Sequence, residues 1–152
     1  MDDDTVSAIS PASGDRNLIY DDELQLGVNQ SKTVRVYANQ LHKFADVHMV
    51  AGQRYRLTAT STWRNGWRSS TANGYLPAFG DVRRHNAYNT MALVGEYFNK
   101  NGNIFSYANS KFRVGTSRTL TSFRTGFLNL IANDAIVFDN SGSVLVTIRR
   151  TQ

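Results

Sequence analysis

A chain of 152 residues is one domain's worth of sequence, long enough to bury a two-layer core. Apolar residues at 41% and charged residues at 19% describe a globular protein and exclude disordered and fibrous classes. The net charge of +5 hides a division: residues 1–23 hold seven of the twelve acids and one base, Arg16, leaving an excess of eleven positive charges over the rest. Those bases are scattered and form no arm or stripe, so no nucleic-acid partner is expected.

In chain order, residues 1–17 are rich in Asp, Ser and Gly, include Pro11, and read as a flexible acidic tail or linker from a longer protein. Residues 18–152 are expected to form a single β-sandwich domain. Met1-Asp2-Asp3-Asp4 is the reverse of a basic signal-peptide start, and no apolar run is long enough to cross a bilayer, so no membrane insertion is expected. Localisation stays open, with extracellular or cell-surface exposure the expectation. With no cysteine, neither disulfides nor thiolate metal sites enter.

Thr33 to Tyr37 is a short β-branched run. Arg54 to Ala59 alternates basic and apolar residues at period two, which predicts a half-buried strand with Tyr55, Leu57 and Ala59 inward. Leu93 to Phe98 and Asn103 to Tyr107 flank Lys100-Asn101-Gly102, whose Asn-Gly pair predicts a hairpin. Lys111 to Val114, Arg118 to Arg124, Phe127 to Ala132 and Ser143 to Arg149 complete the series. About eight or nine short antiparallel strands with Gly, Asn and Ser between them predict an all-β fold, a jelly-roll β-sandwich.

One long insertion, Trp63 to Asn89, breaks this rhythm. It mixes Trp63, Trp67, Tyr75, Phe79 and Tyr88 with Arg64, Arg68, Arg83, Arg84 and His85. Aromatic residues give a loop apolar area with which to pack, and with arginine they suit stacking on a sugar ring or a base while bonding polar groups. Trp67, Tyr75 and His85 are the sugar-binding candidates here. Trp63 equally suits a cap on the core at a strand end.

No catalytic constellation is visible. His42, His48 and His85 lack zinc-ligand spacing, and there is neither a Gly-rich phosphate loop nor a nucleophile elbow. A glycosidase needs two carboxylates across a cleft, and only Asp46, Asp81, Glu96, Asp134 and Asp139 follow residue 23, so no enzyme is expected.

The most informative stretch runs from Gly126 through Asn133-Asp134 to Asp139-Asn140-Ser141-Gly142. Asp134 stands just past one strand, and Asp139 and Asn140 stand just before the next. A short turn would gather their side-chain oxygens while residues 136–138 offer backbone carbonyls, which is the oxygen-rich set calcium prefers. The same residue types also make an ordinary turn.

The pattern Gly126-x-Leu128-x-Leu130-x-x-Asn133-Asp134, a short loop, then Asn140-Ser141-Gly142-Ser143-x-x-Val146-x-Ile148, resembles the C-terminal half of the bacterial galactophilic PA-I lectin family, which is galactose-binding-like in fold. Val50-Ala51-Gly52-Gln53 resembles that family's first core hairpin, Trp63 its strand-end tryptophan, and Leu93-Val94-Gly95 its Leu-x-Gly strand. The resemblance implies a lectin or carbohydrate-binding module whose calcium ion bridges protein oxygens and two sugar hydroxyls. It implies metal ligation by Asp134, Asn140, the backbone carbonyl of Met49 and one carbonyl between Ile136 and Phe138, taken as Val137. Asp139 stands where the family often has a second asparagine and joins the metal set, while Asp134 and Asn140 also meet the sugar. The loop between Asp134 and Asn140 is shorter than in galactose-binding members.

The expected partner is a carbohydrate, galactose-like or, given the basic excess, an anionic glycan. Weak single sites gain strength by multivalency, so a homo-oligomer or a module of a larger protein is expected. Two other readings stand beside this one. In the first the domain is a metal-free structural or protein-interaction sandwich; in the second it binds anions through the Arg/aromatic loop 63–89.

Overall fold

The computed structural model describes residues 5–6, 24–99 and 110–152. Eleven strands run through these residues: β1 (Thr5–Val6), β2 (Ser31–Tyr37), β3 (Phe44–Met49), β4 (Arg54–Thr60), β5 (Trp63–Asn65), β6 (Arg68–Ser70), β7 (Leu93–Phe98), β8 (Lys111–Arg113), β9 (Ser117–Thr121), β10 (Gly126–Ala132) and β11 (Asn140–Arg150). They form two antiparallel sheets, and the expected all-β sandwich is what the chain adopts. The larger sheet has the order β1-β2-β11-β4-β9, with the β5–β6 hairpin joined to the start of β11; the smaller has the order β3-β10-β7-β8.

Alternation builds the core. In β2, β4 and β11 every second residue is buried: Val34 and Val36; Tyr55, Leu57 and Ala59; Val144, Val146 and Ile148. These meet Val47 and Met49 of β3, Leu93 and Tyr97 of β7 and Leu128 and Leu130 of β10 in one apolar cluster between the sheets. Arg54 and Arg56 face solvent, as their spacing predicts. By contrast β7 and β10 are buried on both faces, which is why they read as continuous runs. Gly95 is required in β7, because a Cβ there would lie 2.4 Å from the Phe112 ring.

Three expectations change. The insertion 63–89 is not wholly irregular, since Trp63–Asn65 and Arg68–Ser70 pair as a hairpin. Val50 to Gln53 is not a hairpin: β3 pairs with β10 in one sheet and β4 with β11 and β9 in the other, so this turn, with Gly52 at φ 88°, carries the chain between layers. Thr5–Val6, inside the segment expected to be a tail, pairs as an edge strand with β2. The hairpin expected at Lys100-Asn101-Gly102 with Asn103 to Tyr107, and the rest of the 1–17 segment, lie outside the described residues.

Among the described residues no helix is long and apolar enough to cross a membrane.

Candidate functional site

Where β10 ends, the chain must turn to enter β11, and buried side chains direct that turn. Asn133 is fully buried and acts as a clamp. Its Oδ1 accepts from the backbone N–H of His85 at 2.9 Å, and its Nδ2 donates to the carbonyls of His85 (3.0 Å), Tyr88 (3.1 Å) and Asn89 (2.9 Å). One amide thereby fastens the end of the long insertion to the strand end that carries Asp134. The Ala135 N–H adds a bond to the Val82 carbonyl at 2.7 Å.

Asp134, Asp139 and Asn140 come together as their spacing predicts. Asp134 is buried, and its Oδ1 accepts the Ile136 N–H at 3.0 Å. Burial pushes its pKa above the usual carboxylate range, and the neighbouring charges of Asp139 and Asp81 push the same way; the Ile136 N–H and the Asn140 amide oppose them. Asn140 is also buried. Its Nδ2 donates to the Ala38 carbonyl at 3.0 Å, while among the described residues its Oδ1 finds no donor. The Val137 carbonyl closes the loop by accepting the Asn140 N–H at 3.0 Å, and the Asp139 carbonyl accepts the Gly66 N–H at 3.0 Å.

A cleft of about 220 Å³ opens here, lined by Asp81, Asp134, Asp139 and Asn65, with Phe79 and Ile136 among its apolar walls. Asp81 is held in place because its Oδ2 accepts the Ala78 N–H at 2.8 Å and the Thr90 hydroxyl at 3.0 Å. A second cleft of about 280 Å³ shares Asn65, Phe79, Asp81 and Asp139 with the first and extends to Trp67, Arg68 and Tyr75. Sequence reasoning did not single out Asp81 or Asn65 for the site. Asp81 is the lone acid of the 63–89 insertion, which was the available signal; Asn65 read only as half of an Asn-Gly turn.

Other expected site residues lie elsewhere or are otherwise engaged. Met49 pairs with Gly126, the first residue of β10, whereas Asp134 follows the last. A seven-residue strand is roughly 20 Å long, so the Met49 carbonyl cannot reach a cation at Asp134. The carbonyl beside Asn140 is that of Ala38. The His85 imidazole lines neither cleft, because its Nε2 is 2.7 Å from Oε2 of Glu96. Tyr75 lines the second cleft. Arg68 lies over its ring with Cζ 3.7 Å from the centroid, the ring packs against the core, and its hydroxyl accepts from Asn65 Nδ2 at 2.9 Å. Trp67 stands almost free of the protein at the hairpin tip.

The donor set suits a hard cation in kind. Among the described residues no three His, Cys, Asp or Glu side chains are grouped as a metal site. Any ion here would therefore draw on the Asn140 amide and backbone carbonyls as well as Asp134 and Asp139, the mixed oxygen set that calcium accepts. The buried, donor-less Asn140 Oδ1 is the observation that favours this fit, since a buried acceptor left unmatched is costly.

No protein-family model matches the chain, and no curated protein matches it. A search of solved structures finds the "EclA N-terminal domain; PllA-like lectin", 19% identical over 78% of this chain and 94% of that one, with a TM-score of 0.56. At that identity the likeness concerns the fold, and it agrees with the two-sheet architecture.

Proposed function

We propose that this domain is a non-enzymatic carbohydrate-binding module in which a calcium ion, held at the β10–β11 loop, bridges protein oxygens and sugar hydroxyls. The observation that carries the reading is the unmatched, buried Oδ1 of Asn140 beside Asp134, a buried carboxylate whose ionisation its surroundings resist. A cation between them would satisfy both. The sequence resemblance and the lectin fold neighbour support the same reading.

Asp134, Asp139 and Asn140 would hold the ion, with carbonyls from the loop, including Val137, completing the set. Asp81 and Asn65 line the same cleft, and in this reading they would accept from and donate to sugar hydroxyls. Trp67 offers an open ring for stacking, while Tyr75 supports the cleft wall. Calcium held there would supply coordination sites for two vicinal sugar hydroxyls. A bidentate grip on an anionic sugar group is less favoured, because the arginine forks already bond within the chain, Arg64 to the Trp67 carbonyl, Arg83 to the Asn86 and Tyr88 carbonyls and Arg84 to Glu96, although the charges of Arg64 and Arg83 stay unneutralised.

Calcium titration by calorimetry and thermal melting tests the reading on the wild type and Asp134→Ala. A ligand that binds only the folded state must raise its melting temperature, so a saturable calcium response absent from the variant is expected. An unresponsive wild type would reduce residues 133–140 to a turn.

A further inference from the structure

Six large apolar side chains stand exposed around the carboxylate cleft: Trp67, Leu76, Phe79, Val82, Ile136 and Phe138. They occupy three separate loops, the β5–β6 turn, the segment after Tyr75 and the β10–β11 loop. Soluble domains scatter exposed apolar residues singly, so their gathering at one end points to a contact surface. Phe79 is fully exposed, and Trp67, Leu76 and Phe138 are 85, 77 and 87% exposed. Leu76 and Phe138 line neither cleft. A glycan seated between the loops would leave these tips bare. Only a partner lying across all three loops covers them, and it must yield to protruding rings.

The charges name that partner further. Between residues 63 and 89 stand four arginines and one aspartate, and of the arginines Arg84 is paired with Glu96. Arg64 bonds the Trp67 carbonyl, Arg68 lies over Tyr75, and Arg83 bonds two carbonyls. These partners are neutral, so the positive charges beside the aromatic tips persist. Rings that bury themselves next to arginines that stay at the polar boundary are the pattern of a protein lying on a lipid interface.

We propose that the three loop tips form a peripheral docking face for an anionic lipid bilayer, with Trp67, Phe79 and Phe138 entering the interfacial region and the carboxylate cleft facing the headgroups. Asp81, Asp134 and Asp139 oppose an anionic surface until a cation sits among them, so docking strengthens in calcium. Only that calcium dependence rests on the function proposed above, and calcium titration without lipid tests it separately.

The two tryptophans supply the readout. Trp63 is fully buried with its Nε1 bonded to the Met91 carbonyl at 3.0 Å, so lipid cannot reach it, and any change in emission on adding vesicles reports Trp67. The experiment adds vesicles of mixed phosphatidylcholine and phosphatidylserine to the full chain in calcium and in chelator, following emission and co-sedimentation. Vesicles of phosphatidylcholine alone are the second arm. A shift to shorter wavelength with co-sedimentation on the mixed vesicles is expected, and Phe79→Ser with Phe138→Ser should lower the bound fraction about tenfold or more. Both rings are exposed, so an unchanged melting temperature in the variant is part of the expectation. Co-sedimentation with no shift, or undiminished binding by the variant, overturns the docking face. Equal binding to phosphatidylcholine alone overturns the anionic assignment. Self-association in sedimentation velocity that the same substitutions abolish would assign the face to a second copy of the chain instead.

Discussion

Two buried carboxylates in this fold live under opposite terms. Glu96, on the outer face of the smaller sheet, has its oxygens 2.7 Å from His85 Nε2, 2.8 Å from Asn129 Nδ2 and 3.6 Å from Arg84. Burial resists its charge, yet the His85 bond, the Arg84 charge and the Asn129 bond together hold its pKa below the ordinary carboxylate value. Asp134, at the strand end, has the Ile136 N–H and the Asn140 amide against burial and two neighbouring acids, and its pKa is pushed up. The first acid is saturated with donors and works for the fold. The second is short of them, as a group awaiting a ligand would be. Burial alone distinguishes neither; the count of donors does.

Removing the saturated acid should have the largest effect. Glu96→Ala strands Arg84, His85 and Asn129 on a buried face and is expected to cost about 3–5 kcal/mol in urea denaturation. A cost below roughly 1 kcal/mol would mean that the cluster is a surface network and the contrast with Asp134 is lost. Asn133→Ala comes next. It deletes four bonds that fasten residues 85–89 to the end of β10, and about 2–3 kcal/mol is expected because several buried backbone groups lose their partners. If the loop carries the site, calcium affinity should fall with it.

These two residues also mark the boundary of what the sequence could tell. The alternation of Arg54 to Ala59 and the continuous run of Phe127 to Ala132 were legible because each pattern reports burial directly. So was the meeting of Asp134 with Asp139 and Asn140, since a short loop leaves little choice. The partnership of Glu96 with His85 depends on a loop folding back over a sheet face, which no local pattern encodes. Met49 was misplaced for a related reason: proximity to β10 follows from pairing, but which end of β10 follows from register. The β5–β6 hairpin escaped because three-residue strands are too short to show a period.

Acid titration sharpens the comparison through its sign. Glu96, with its folded pKa below 4.5, contributes stability that is present above that value and is lost as pH falls through the folded pKa. Asp134, with its folded pKa above 3.8, opposes folding while ionised, and that cost is relieved as pH falls through its folded value. His42, lowered by burial and by Arg84, adds a loss of stability as pH falls below 6.5. Subtracting the pH profile of Asp134→Asn from that of the wild type should therefore leave a curve that rises as pH falls toward 3.8. The same subtraction with Glu96→Gln should fall. Two curves of the same sign would erase the distinction between the acids.

The smallest effect is the most discriminating. In the absence of calcium, Asp134→Asn replaces an acid that resists ionisation with a neutral group of the same shape. The buried charge goes, the acceptor for the Ile136 N–H stays as the amide oxygen, and the repulsion from Asp81 and Asp139 disappears. Stability should change by no more than about 1 kcal/mol and should rise rather than fall. In saturating calcium the order reverses, because the wild type gains the binding free energy and the variant does not. A variant less stable than the wild type in both conditions would make Asp134 a structural acid like Glu96. A crossover would show that the strand end gives up stability to keep an unmatched carboxylate beside Asn140.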